Sequence, residues 1–326
     1  MGSADDGRTP AGVISVSNSP SPSGFTLTII GCGKLGTAVL QGLLAPQPTA
    51  TQAGHGTEPA QDNRHTLERI IVSVRTRDKM QSLSETVLTD DLGDRACPVE
   101  FVVGDNVGAA RRADVVILSC HPHQGGEVLG VPGMREALSG KLLVSMLGGV
   151  SVATLEEGLY GKPRRSEPPG LRPCHVLQAI PNVAAARHKS VTVVGGQSAS
   201  IPGEVLELGH EVLRRIGTPV PVSTNQMPAA TALCASGTAF FSWFLEAMVD
   251  AAVAQGIERS KATHMAALTM AGAAELVVSG QDPAAVTATV TTPGGATARG
   301  LATLERGEAK ETVVKALQAT ISKIRS

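Results

Sequence analysis

Residues 25–44 read FTLTIIGCGKLGTAVLQGLL, and the architecture of the chain turns on them. Phe25, Leu27, Ile29 and Ile30 lie in a short apolar, β-branched run that stops at glycine, the pattern of a buried strand. From Lys34 the apolar residues take helical spacing. Between the two stand Gly31, Cys32, Gly33, Lys34, Leu35 and Gly36, a G-x-G-x-x-G. That motif alone is weak, and its plain alternative is an ordinary strand-to-helix turn. A strand before it and a helix after it make it a dinucleotide-binding fingerprint. The glycines then permit a tight turn and let the backbone approach a pyrophosphate seated on the helix N-terminus.

The rhythm continues outward from this unit. RIIVSVRT (69–76), VEFVVG (99–104), ADVVILSC (113–120), KLLVSMLGG (141–149), HVLQAIPN (175–182) and SVTVVGG (190–196) are strand-like, separated by polar or helical segments. DKMQSLSETVL (78–88) and GEVLELGHEVLRRIG (203–217) carry helical spacing, and TPVPVS (218–223) supplies a last short strand. Strands alternating with helices predict an α/β fold with a Rossmann-type, mostly parallel, doubly wound sheet. Beyond about residue 225 the strand signals vanish and alanine-rich helical runs take over. The expected division is a disordered segment over 1–24, a nucleotide-binding domain over 25–222 and an all-helical domain over 223–326. A helical region so apolar is expected to pack on a second copy of itself, as a homodimer. Residues 46–64, rich in Pro, Gly, Thr and Gln, read as a surface loop.

Composition excludes several classes of function. Aromatic residues are 2% of the chain and the net charge is −1, so neither base stacking nor a basic footprint for nucleic acid or anionic membrane is present. Five scattered cysteines (Cys32, Cys97, Cys120, Cys174, Cys234), none in a CxxC, fit a reducing compartment, and no signal peptide precedes them. A cytoplasmic protein is expected. The longest apolar run, FFSWFLEAMVDAAVAQGI (240–257), carries Glu246 and Asp250, so no uncharged membrane span is expected. That carboxylate pair reads as the solvated or interface-facing stripe of a helix, and His264 beside Met265 as a packing residue.

The second strand bears on which cofactor is used. An NAD site places Asp or Glu at its end for the ribose hydroxyls. Here the chain places Arg75, Thr76, Arg77 and Lys79, groups suited to a 2′-phosphate, so NADPH is favoured over NADH. The bland alternative is a solvated loop. After the fourth strand, ILSCHPHQ (117–124) runs out at the sheet edge where ligands of open α/β sheets bind. His121 and His123 there lack acidic or cysteine partners at ligand spacing, and no metal site is expected.

TIIGCGKLGTAVLQGL, VRTRDK, ILSCHPHQ, LVSMLGGVS, AIPNVAA, ASGTAFFSWFLEAMVDAAVAQGI and VTTPGGATARGLATLE occur in the order seen in pyrroline-5-carboxylate reductases, a family the chain resembles from Phe25 onward. The last block (290–305) is the most specific. The resemblance implies NAD(P)H-dependent reduction of 1-pyrroline-5-carboxylate to L-proline, on a Rossmann domain followed by a helical dimerisation domain whose dimers often assemble further. It implies cofactor contacts at Gly31, Cys32, Gly33, Lys34, Leu35 and Gly36, at Arg75, at Asn106, at Ser119, Cys120, His121 and Pro122, and at Met146, Leu147 and Gly148. It implies substrate contacts around 291–297, with Thr297 near the reacting imine.

The chemistry of that late stretch agrees. In TTPGGAT, Thr292 is expected as N-cap and Pro293 as first helical residue, with Gly294 and Gly295 inside the first turn. Amides freed at a helix start, from Gly294, Gly295 and Ala296 onward, attract a carboxylate without an arginine, and the Thr297 hydroxyl reaches a ring nitrogen. The family's Ser-Gly-Ser-Gly-Pro opening of the long helix reads Cys234, Ala235, Ser236, Gly237, Thr238 here, and its Lys-Pro reads His121, Pro122. Two alternatives therefore stand beside the proline-forming reductase. One is a reductase of a different cyclic imine. The other is a non-catalytic NADPH-binding scaffold, against which the intact TTPGGAT speaks.

Overall fold

The computed structural model describes residues 24–46, 65–87, 97–161 and 168–325. The polar lead (1–24, bar Gly24) and the 46–64 insertion (bar Pro46) lie outside those residues. In chain order the first part runs β1 (Gly24–Ile30), α1 (Lys34–Leu44), β2 (Thr66–Val74), α2 (Arg77–Val87), β3 (Val99–Val103), α3 (Asn106–Arg111) and β4 (Val115–Leu118). It continues with α4 (Gly125–Leu129), α5 (Met134–Ala137), β5 (Leu142–Ser145), α6 (Val152–Tyr160), β6 (His175–Ile180), β7 (Ser190–Gln197), α7 (Gly203–Arg214) and β8 (Gly217–Pro221).

The strands form one eight-stranded sheet in the order β3-β2-β1-β4-β5-β6-β7-β8. All pairs are parallel except β6 with β7. That exception has a chain-length cause. Only a 3-10 turn, Val183–Arg187, and a few residues separate β6 from β7, too little chain for the crossover a parallel pair needs. The sheet is buried on both faces. Leu27 and Ile29 of β1 pack with Leu40 and Leu43 of α1 and with Leu213 of α7, while Ile30 packs with Leu129, Leu138 and Leu155 on the opposite side. Alternate residues of one strand thus feed two cores, as period-2 geometry requires.

From Thr224 onward the chain is helical: α8 (Met227–Thr231), α9 (Gly237–Ala254), α10 (Arg259–Val278), α11 (Pro283–Thr289), α12 (Ala296–Arg306) and α13 (Ala309–Arg325). A single π turn, Ala232–Ser236, joins α8 to α9. Met227 anchors this part to the sheet through Ile180 and Val193. Past that anchor little is buried. Trp243 is 66% exposed and Leu268 60%, and of α9 and α10 only Gly237, Val249 and Ala262 are buried. His264, expected to pack, stands exposed in the single chain, because α10 offers no covered face for it. Asp250 pairs with Arg259 at 2.8 Å on the exposed surface. Among the described residues one helical run, Thr224–Ala254, is long and apolar enough to cross a membrane by length and composition; it contains Glu246 and Asp250.

One packing contact fixes α1 on the sheet's end. Gly42 lies so close to the 3-10 turn that a Cβ would collide with the Ala185 carbonyl. Because the obstacle is backbone, Gly42→Val is expected to cost about 1–3 kcal/mol, the usual cost of overpacking. Urea unfolding should show a lower midpoint at unchanged m-value; an unchanged midpoint would mean that the turn yields freely.

Candidate functional site

The five segments expected to hold a cofactor follow five adjacent parallel strands. Asn106 lies after β3, Arg75 and Thr76 after β2, Gly31 to Gly36 after β1, Ser119 to Pro122 after β4, and Met146 to Gly148 after β5. They therefore share the C-terminal edge of the sheet, centred on the β1/β4 switch point where open α/β sheets bind ligands. Backbone bonds tie this edge together: Gly31 N–H to Ser73 O (3.0 Å), Gly104 N–H to Val74 O (2.9 Å), Ser119 N–H to Ile30 O (2.9 Å) and Met146 N–H to Leu118 O (3.0 Å).

Each glycine of the fingerprint has its own reason. Gly31 has φ +76°, and a Cβ there would stand 2.9 Å from the Cys120 backbone. Gly36 packs α1 on the sheet, where a Cβ would stand 2.8 Å from the Ser119 hydroxyl. At Gly33 a Cβ would meet nothing within 4 Å. So two of the glycines are demanded by the chain itself, and Gly33 opens onto free space that a side chain would occupy. A cradle of this form, at a helix N-terminus, fits a dinucleotide pyrophosphate.

The other residues take distinct parts. Cys32 is buried, with its thiol 3.8 Å from the Thr37 hydroxyl; burial pushes its pKa up. Lys34 is exposed at the start of α1 and Leu35 is half-buried against the core. Arg75 is exposed and in no ion pair among the described residues. Thr76 caps α2, its hydroxyl accepting from the Lys79 N–H at 3.3 Å. The Ser73 hydroxyl donates to Asn106 Oδ1 at 2.8 Å, which leaves the Asn106 amide hydrogens for another acceptor. His121 and Pro122 are exposed, and the rings of His121 and His123 stack at 5.7 Å, nearly parallel. Burial raises the pKa of the half-buried Cys120 thiol. Met146 and Leu147 turn their side chains into the two cores, so only their backbone and that of Gly148 can serve a ligand. Among the described residues no three His, Cys, Asp or Glu groups could hold a metal ion.

The late stretch is built differently from its expectation. Thr292 is not the N-cap and Pro293 is not the first helical residue; α12 starts at Ala296 with Gly295 as its N-cap. Thr292, Pro293, Gly294 and Gly295 form a turn closed by Gly295 N–H to Thr292 O (3.0 Å), with Gly294 at φ +72°. Proline second and a left-handed glycine third are the marks of a type II turn. At Gly295 a Cβ would crowd the Thr292 side-chain hydroxyl and stand 3.1 Å from the Thr292 carbonyl oxygen. The first intrahelical bond runs from Arg299 N–H to Gly295 O, so the amides of Ala296, Thr297 and Ala298 open the helix without an intrahelical acceptor. Thr297 is exposed.

Within one chain, α11 packs on α10 and α12 on α13, and the late turn stands at the surface between them. The end of α13 does reach the cofactor edge: a Cβ on Gly149 would stand 3.0 Å from the Ile324 carbonyl oxygen. Asn182, in the AIPNVAA block, has a role that its sequence context does not announce. Its side chain accepts from Ala184 N–H at 3.0 Å and donates to Cys234 O at 2.9 Å, joining the β6 loop to the π turn. Its one signal is a proline-asparagine step after a strand.

Two family models match: "Pyrroline-5-carboxylate reductase dimerisation" over residues 224–326 and "NADP oxidoreductase coenzyme F420-dependent" over residues 26–149. The chain is 50% identical over 302 residues to a pyrroline-5-carboxylate reductase of an Acremonium species, covering 93% of each chain. It is 40% identical over 302 residues to one of Lophium arboricola, covering 92% of each. Among solved structures, the Coxiella burnetii pyrroline-5-carboxylate reductase aligns at TM-score 0.67 and 26% identity, over 92% of this chain and 97% of that one. The Plasmodium falciparum enzyme, solved with NADP bound, aligns at TM-score 0.71 and 21% identity over 92% and 97%, a likeness of fold.

Because Gly33 faces open space, its replacement separates ligand binding from folding. Gly33→Val is expected to weaken nucleotide binding by more than about tenfold while leaving the melting temperature within about 2 °C, the range of surface substitutions. Isothermal titration and thermal melts of the same sample decide it; a parent-like affinity would show that nothing is bound across Gly33.

Proposed function

The chain belongs to the pyrroline-5-carboxylate reductase family of NAD(P)-dependent oxidoreductases, and on that premise we propose that it reduces 1-pyrroline-5-carboxylate to L-proline with NADPH, the closing step of proline biosynthesis. The observation that carries the substrate half is the head of α12. Three adjacent amides without intrahelical acceptors open a helix in a stretch, 283–298, that has no charged side chain. Peptide dipoles so arranged favour a carboxylate. The Thr297 hydroxyl, one residue into the helix, serves the ring nitrogen of the bound imine. When bound, NADPH supplies the hydride that reduces the C=N bond. The chain orients the ring by its carboxylate and hydrogen-bonds the nitrogen whose basicity rises as the carbon is reduced.

The cofactor half rests on Gly33's open cradle and on Arg75, which stands where an NAD site has a carboxylate. Apolar side chains left exposed on α9 and α10, among them Phe241, Trp243, Met248 and Leu268, support a homodimer through the helical part. We place that dimer in the cytoplasm, because none of the five cysteines forms a disulfide. A second reading, a different cyclic imine, is favoured by the π turn at Ala232–Ser236. It places Cys234 and Ala235 where the family has hydroxyl and glycine residues. Following NADPH oxidation with 1-pyrroline-5-carboxylate and with a panel of cyclic imines separates the two readings, and the scaffold reading fails with any turnover.

Two substitutions test the assignment of roles. Thr297→Ala is expected to lower kcat about 10²-fold, as loss of a positioned proton donor does, with NADPH affinity little changed. Unchanged turnover would remove Thr297 from the mechanism. Arg75→Ala is expected to weaken NADPH about tenfold and NADH far less, the loss of one charge-assisted contact to phosphate. Equal weakening of both nucleotides would sink the 2′-phosphate role.

A further inference from the structure

Two polar side chains are buried beneath the loop that follows β5. Ser145 ends β5, and its register partner on the adjacent parallel strand β6 is Gln178. Paired positions face the same side of a sheet. Two residues earlier on that side, Leu143 and Val176 feed an apolar core. Ser145 and Gln178 are buried as well, yet polar. A buried hydroxyl or amide without a hydrogen bond costs free energy, so each needs a partner.

Both partners lie in one loop. The Ser145 hydroxyl accepts from Leu147 N–H at 3.4 Å, and Gln178 Nε2 donates to Val150 O at 2.8 Å. The loop, Met146 to Val150, contains Gly148 and Gly149, the second at φ +76°. Glycine has more backbone freedom to lose than any other residue, so a glycine pair keeps one conformation only when held from outside. The sheet is reshaped to let Gln178 do so. Leu177 pairs with Gln197 and Ala179 with Val194, so β7 spends one residue more than β6 and bulges at Gly195 and Gly196, opposite Gln178. A Cβ on Gly196 would stand 2.9 Å from Gln178 Oε1. On its other side the loop meets the end of α13, at the contact of Gly149 with the Ile324 carbonyl oxygen.

We propose that Gln178, with Ser145 beside it, is a positioning residue for the cofactor: it fixes the Met146 to Val150 loop, whose backbone holds the nicotinamide end of the dinucleotide. The inference rests on the reading of this edge as an NADPH site. On that reading the pyrophosphate sits at the head of α1 and the adenosine ribose at the end of β2. The rest of the dinucleotide then extends the other way, over β4 and β5. The loop after β5 is therefore at the reacting end. A shift of its backbone misplaces the hydride-donating ring and leaves the adenosine half where it was. Gln178 itself touches no ligand and acts from below, through the Val150 carbonyl.

The test uses the full chain with Gln178→Met, which keeps the side-chain volume and removes the donor, and with Ser145→Ala. Calorimetry measures the Kd of NADPH and of 2′-phospho-ADP-ribose, the same nucleotide without its nicotinamide. Steady-state kinetics with 1-pyrroline-5-carboxylate measures kcat at saturating NADPH. Gln178→Met should raise the Kd for NADPH about fivefold and leave that of the truncated nucleotide within about twofold of the parent. It should lower kcat about tenfold, as misplacement of a reacting group does. Ser145→Ala should act in the same direction, more weakly, and it carries the same test should Gln178→Met fail to fold. The pair of Kd values decides whichever imine is reduced. Equal weakening of both nucleotides overturns the proposal, because it assigns Gln178 to folding. So does parent-like NADPH affinity in the variants. A parent chain that binds no NADPH overturns the cofactor reading and the proposal with it, whereas a parent that binds NADPH and ignores both substitutions sinks Gln178 alone.

Discussion

The contact on which the rest depends is the approach of the Gly31 backbone to Cys120. β1 is an interior strand, paired with β2 on one side and β4 on the other, and its chain must leave the sheet without blocking the end of β4. It does so through a left-handed residue that leaves no room for a Cβ against the Cys120 backbone. A non-glycine there would suffer both backbone strain and a collision with main chain. With that turn made, the N-terminus of α1 points across the switch point, Gly33 faces open space, and Ser119 is buried beneath Gly36. The cofactor edge is thus a by-product of closing one tight turn. Its chemistry could be altered at Arg75, His121 or Lys79 without disturbing the fold.

The helical part obeys a different constraint. A sheet buried on both faces stabilises itself within one chain, whereas α9 to α13 have little to bury against except one another and the ends of β6 and β7. Besides the end of α13 at Gly149, two contacts connect the parts: Met227 in an apolar contact with Ile180 and Val193, and the Asn182 amide on the Cys234 carbonyl. The second falls on a π turn. Such turns alter the regular bonding of a helix, and here a side chain from the sheet takes the Cys234 carbonyl as its acceptor. The joint between the parts is therefore both apolar and hydrogen-bonded, and the wide apolar surfaces of α9 and α10 beyond it are left uncovered by this chain's own sheet.

Much of this was legible in residues 25–44 because strand, turn and helix there each demand different residue types. β-branched alternation, positive-φ glycines and 3.6-residue spacing do not substitute for one another. The start of α12 was not legible for the opposite reason. Thr-Pro suits both an N-cap with the first helical residue and the leading half of a type II turn, and only the backbone at Gly294 separates them. The reversal of β7 follows from the short β6–β7 connection, but strand patterns alone do not give direction. The π turn leaves no local signature, and Asn182 shows only a proline-asparagine step, with its partner Cys234 52 residues away. The exposure of His264 was hidden because an apolar helix reads the same whether its cover comes from its own chain or from another.

On the proposed reading, the two anion sites are built of different materials, and the difference has a physical purpose. The cofactor end gathers mobile cations, Arg75, Lys34 and Lys79, on exposed helix and loop ends. The substrate end relies on peptide amides held by a turn and a helix start, with the Thr297 hydroxyl beside them. Amides cannot migrate. Their partial charges add only about half an elementary charge at the helix end, enough for one carboxylate held in a fixed direction and too little to compete for a phosphomonoester. Separating strong, adaptable charge from weak, rigid dipoles lets one site distinguish two anions by strength and geometry, and it explains why the late turn is rich in glycine and hydroxyls and empty of charge.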